Sequence, residues 1–140
     1  MKKLLLLALI GCSSHSSGLS AEQQKSLLID RNWLDRMPET KHDRLHVYRF
    51  VPNMGGGVFQ DRTVFKGTFE LFRFEAQNGE IRFDLPETDE KITSKFKIEE
   101  VAEPPFDLKL TISDDPRGPH VYFGMRNETT SDLSTMLRVP

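Results

Sequence analysis

The chain is short of several things at once. Its 140 residues include one Cys, one Trp and two Tyr. A single Cys excludes an internal disulfide and a four-Cys zinc site. Neither sign of charge dominates, since 19 Lys and Arg stand against 21 Asp and Glu for a net charge of −2. That balance excludes a nucleic-acid binder working through bulk positive charge. It also excludes an acidic, disordered, solvating chain. No apolar run approaches the roughly 20 residues that a membrane-crossing helix needs. Hydrophobic residues make up only 37%, yet ten of the side chains are Phe. Whatever core forms is therefore built largely from Phe, in a chain long enough for one domain.

The N-terminus stands apart from the rest. Met1, Lys2 and Lys3 precede the seven apolar residues 4–10, and Gly11, Cys12, Ser13 and Ser14 follow. Two positive charges, a short apolar run and small residues are the layout of a secretory signal. Leu9-Ile10-Gly11-Cys12 resembles the lipobox of bacterial lipoproteins. The resemblance implies cleavage between Gly11 and Cys12. It further implies a thioether-linked diacylglycerol on Cys12 and an amide-linked acyl chain such as palmitate. Three acyl chains exceed the two signals that stable membrane attachment takes. By the same resemblance the protein sits in the cell envelope, and Ser13 and Ser14, with no Asp behind the Cys, point to the outer rather than the inner membrane. The expected organisation is a signal peptide over 1–11, a lipidated Cys and Ser-rich flexible tether over 12–20, and a folded domain over 21–140. Cleavage leaves 17 basic against 21 acidic side chains, a net charge of −4. The acyl chains alone are therefore expected to hold the membrane.

The spacing predicts a helix over 21–29, with Ser20 as N-cap and Gln23 as its capping-box partner. Arg31-Asn32-Trp33-Leu34 then begins extended chain. Apolar and polar residues alternate with period two over 45–51, 58–65, 68–76, 80–85, 91–101, 106–112 and 120–125, which reads as strands. Asn78-Gly79 between two such runs is a strong hairpin signal. Residues 132–137 read as a helical turn or two, or else as part of a last strand ending at Val139. Seven or eight strands with short connections should pair antiparallel, and a sheet with one apolar face must close on itself or pack on another. The expected fold is all-β, an antiparallel up-and-down barrel behind a short helix; a β-sandwich is the alternative.

Gly67-Thr68-Phe69-Glu70-Leu71-Phe72, leading into Asn78-Gly79-Glu80-Ile81-Arg82-Phe83, carries a second likeness. Over residues 31–126 the chain resembles the lipocalin-like small barrels of bacterial lipoproteins. It differs in having Arg31 where lipocalins open with Gly-x-Trp, and in lacking their paired cysteines. The resemblance implies a small hydrophobic ligand held in the barrel, with Trp33, Phe50, Phe69, Phe83, Phe96, Phe106 and Phe123 as lining candidates. The interior of an eight-stranded barrel is just wide enough for side chains or one small ligand, so the same rings could instead fill it.

Chemistry is sparse in the sequence. His42 and His46 read as solvated histidines where a loop enters a strand, and a metal site would need three or four convergent ligands. Cys12 is consumed by lipid, and no Ser lies in a Gly-x-Ser-x-Gly turn. Glu99-Glu100 and Asp114-Asp115 read as solvated pairs. Gly55-Gly56-Gly57 lacks the Lys-Ser/Thr of a phosphate loop and reads as a flexible connection able to act as a lid. No enzyme activity, metal, cofactor or nucleic acid is expected. Two functions stand open: an anchored module binding a small apolar ligand, or a structural or assembly lipoprotein contacting an envelope protein. The first expects a cavity of a few hundred Å³; the second expects a filled barrel with an exposed apolar patch.

Overall fold

The computed structural model describes residues 18–128. Gly11, Cys12 and the element expected near 132–139 lie outside the described residues. Ser20 and Gln23 form the expected capping box, each side chain accepting from the other's backbone N–H, and start α1 at Ala21–Leu28. Eight strands follow: β1 Asn32–Leu34, β2 Leu45–Val51, β3 Gly56–Arg62, β4 Gly67–Gln77, β5 Glu80–Leu85, β6 Glu90–Glu103, β7 Phe106–Ile112 and β8 Val121–Gly124. Each pairs antiparallel with its chain neighbours, and β8 returns to β1, closing a barrel rather than a sandwich. Asn78 and Gly79 both take positive φ in the β4–β5 turn, the conformation that suits tight hairpins.

The register sorts side chains by face. Trp33 pairs with Tyr48, Tyr48 with Phe59, and Gly57 with Phe72. Further round, Phe74 pairs with Phe83, Phe96 with Ile112 and Leu110 with Tyr122. These positions point inward, and most of them belong to a single buried cluster. The Tyr48 ring sits at centroid distances of 5.2 Å from Phe50, 4.8 Å from Phe59, 5.7 Å from Phe72 and 5.1 Å from Tyr122. Several of these pairs meet edge to face, as aromatic quadrupoles favour. The helix sits across one end: Leu28 joins the core, the Trp33 indole donates to the Leu28 carbonyl at 3.0 Å, and Gln24 accepts from the Ile98 amide. The loop between β7 and β8 folds across the other end.

Gly55-Gly56-Gly57 is not a lid. Gly55 ends a 3-10 turn over Pro52–Met54 in the left-handed conformation, and Gly56 and Gly57 are the first residues of β3. A Cβ on Gly56 would stand 2.0 Å from the Phe72 carbonyl oxygen, and one on Gly57 would stand 2.3 Å from the Phe72 ring. Backbone approach, rather than flexibility, requires glycine there.

The seam between β1 and β8 holds a single register pair, Leu34 with Phe123. Side chains stitch it further. Arg31 donates to the carbonyls of Met125 and Arg126, and Glu128 accepts from the backbone and side chain of Asn32.

Candidate functional site

Of the seven expected lining residues, Trp33, Phe50, Phe83 and Phe96 are buried in the barrel cluster. Phe106 and Phe123 belong instead to a second cluster with Leu34, Leu45 and Val47. Their rings lie 5.8 Å apart. Phe69 points the opposite way and is 67% exposed. It shares its face of β4 with Leu71, while Phe72 and Phe74 take the inner face. Five inward rings, those of Tyr48, Phe59, Phe72, Phe74 and Tyr122, were not among the candidates. Their alternation with Phe50, Gly57 and Gly124 is the only sequence signal that points to them.

The β7–β8 end carries a buried polar network. Asp115 is 7% exposed, which corrects the reading of Asp114-Asp115 as a solvated turn. Its carboxylate accepts from the Tyr48 hydroxyl at 2.9 Å, from the Tyr122 hydroxyl, and from the amides of Arg117 and His120 at 2.9 and 3.1 Å. Burial, followed by the nearby Asp115 charge, pushes both phenols well above their ordinary range. Arg117 pairs with Glu70 and lies 5.4 Å over the Phe59 ring. Beside it is a pocket of about 260 Å³ that includes Asp61, Thr68 and Glu70.

His46 is not a solvated loop residue. It lies in β2, half-buried, with Nδ1 2.8 Å from Asp35 and its ring stacked 5.7 Å from Phe59. Asp61 is 3.8 Å away, and the Arg44 guanidinium, hydrogen-bonded to it, holds its carboxyl below the usual range. His42 is exposed in the loop before β2. Among the described residues, no group of three or more His, Cys, Asp or Glu could hold a metal ion. No helix among them is long and apolar enough to cross a membrane.

The other surface of note is outside the barrel. Met54, Phe65, Phe69 and Leu71 are 84%, 67%, 67% and 59% exposed. Phe69 and Leu71 stand beside Gln60 and Val58 across the β3–β4 pairing. A groove of about 430 Å³ runs between Met54, Leu71 and Pro86, floored by the β3 glycines. At the helix end, a half-open cleft of about 620 Å³ separates α1 from the β4–β5 hairpin, with Ile29, Pro52, Phe74 and Ala76 as its apolar lining and Lys25 and Glu75 among its charged residues. No protein-family model, curated protein or solved structure matches the chain.

Proposed function

We propose that the chain is a lipid-anchored envelope protein whose barrel is a filled scaffold, acting by contact through its outer wall rather than by catalysis. One observation carries this reading. The interior is occupied by packed rings around Tyr48, while four large apolar side chains on or beside β3 and β4 are left in solvent. Exposed apolar side chains grouped on one wall mark interaction surfaces. Cys12 supplies the anchor through the lipobox-like Leu9-Ile10-Gly11-Cys12, and the tether lets the barrel stand at the membrane. An outer-membrane location follows from Ser13 and Ser14.

Native mass spectrometry of the acylated full chain, extracted in mild detergent, tests the filled-scaffold reading. The expected mass is that of the chain cleaved at Gly11–Cys12 plus its acyl groups. A stoichiometric apolar molecule bound in addition overturns the reading that the protein acts by wall contact alone. Such a result would favour a second reading, in which a small apolar ligand occupies the cleft beside α1, where Phe74 and Ala76 offer an apolar floor. Cys12→Ala is expected to move the protein out of the membrane fraction that requires detergent for release; persistence there would remove the anchor assignment.

A further inference from the structure

We propose that the outer wall formed by β3 and β4 docks on the lipid surface to which Cys12 is anchored, with Phe69 and Leu71 entering the interfacial layer; this rests on the anchored reading above. The wall's composition is the first argument. β3 turns Val58, Gln60 and Arg62 outward, and β4 turns Phe69, Leu71, Arg73 and, past the end of the β3 pairing, Glu75 outward. Over the span where the two strands pair, from Gly57 with Phe72 to Arg62 with Gly67, no outward residue is acidic. By contrast, β5 turns out Glu80, Arg82 and Asp84, the faces opposite Ile81, Phe83 and Leu85. The wall is therefore apolar at its middle and cationic at its Arg62 end, while at the other end Arg73 stands beside Asp84 and Glu75.

The cations divide into paired and unpaired. Arg73 lies 3.3 Å from Asp84, and Arg44, beside the Arg62 end of β3, pairs with Asp61. Arg62 and Lys66 have no carboxylate partner among the described residues; Arg62 donates to Gln60 and to the carbonyls of Thr63 and Val64. The chain's net charge is negative, yet this face is not. Amphipathic surfaces bind an interface through buried apolar area together with attraction to anionic headgroups. Long basic side chains at the edge can lay their stems along the apolar layer and keep their charge in water.

Chain connectivity is the second argument. The tether enters the structure at Gly18 and leads directly into α1, whose Glu22, Lys25 and Ser26 flank Pro52 at one end of the barrel. Met54 lies two residues on, where the wall begins. The nine residues 12–20 reach at most about 30 Å when extended, so anchored acyl chains keep the wall at high effective concentration against the same leaflet.

Spin labelling of the acylated full chain in vesicles of phosphatidylethanolamine and phosphatidylglycerol tests the proposal. A thioether at Cys12 takes no label, so a label enters only at an introduced site. Nitroxides at Phe69→Cys and Leu71→Cys should be several-fold more accessible to oxygen, and several-fold less accessible to a water-soluble nickel chelate, than one at Thr93→Cys on β6. Water-like accessibility at all three sites, in chains that still float with the vesicles, overturns the docking and leaves the anchor standing. Chains that do not float overturn both. Labels that are aqueous on pure lipid but immobilised on native envelope membranes overturn the lipid assignment in favour of a protein partner.

Discussion

Asp115 accepts hydrogen bonds from two phenol hydroxyls and two backbone amides while almost withdrawn from water. A buried carboxylate without such donors would be costly; with four of them it binds the β7–β8 loop to the barrel interior. Replacing it by Asn keeps the size but turns a donor toward groups that themselves donate. Asp115→Asn should cost about 1–3 kcal/mol of stability, read from the urea unfolding midpoint. The two phenols make a second prediction. They are the only Tyr residues in the chain, and the fold holds both neutral beyond their ordinary titration. Above pH about 10 the unfolded chain loses protons that the folded chain keeps, so stability is full below that pH and falls as pH rises. Each tyrosine adds about 1.4 kcal/mol of loss per pH unit. Phenolate absorbance should therefore appear together with loss of the folded circular-dichroism signal. Phenolate forming in a chain that remains folded near pH 10 would remove the buried network. Three of its donors, the Arg117 and His120 amides and the Tyr122 hydroxyl, are near in the chain, but nothing local tells this turn from an exposed Asp-Pro turn; the Tyr48 hydroxyl that draws it into the barrel comes from 67 residues away.

At the scale of elements, β3 and β4 are fitted to each other. Gly56 and Gly57 let the Phe72 backbone and ring approach β3 more closely than any Cβ allows. Gly56→Ala should lower stability by about 1–3 kcal/mol, the usual cost of overpacking. Gly18→Ala, with nothing within 4 Å of the added carbon, should leave the thermal midpoint unchanged. Equal midpoints for the two variants would contradict the close approach. Strand positions and the Asn78-Gly79 turn are legible in the sequence because alternation and turn chemistry are local. The orientation of β4 is less legible. Phe69 and Leu71 occupy one parity and Phe72 and Phe74 the other, so alternation alone does not say which pair goes inside. Pairing of Gly57 with Phe72 and of Phe74 with Phe83 decides it.

For the whole molecule, filling the barrel and leaving one wall apolar are two sides of the same partition of Phe. Phe50→Ala, which empties a fully buried position, should cost about 3–5 kcal/mol. Phe69→Ala should stay within about 0.5 kcal/mol of the unsubstituted chain. Chemical denaturation of the two variants checks the contrast, and a large loss at Phe69 would mean that this ring is covered in the protein. The sequence by itself determined the existence and spacing of the strands, the helix with its capping box, the Asn-Gly hairpin and a Phe-rich core, because each follows from neighbouring residues and backbone preference. Only the tertiary structure decided which Phe residues fill the barrel, that Asp115 is inside, and that Phe69 and Leu71 are outside. Those outcomes depend on register and closure between strands distant in the chain, where a shift of one residue turns every side chain of a strand to the other face.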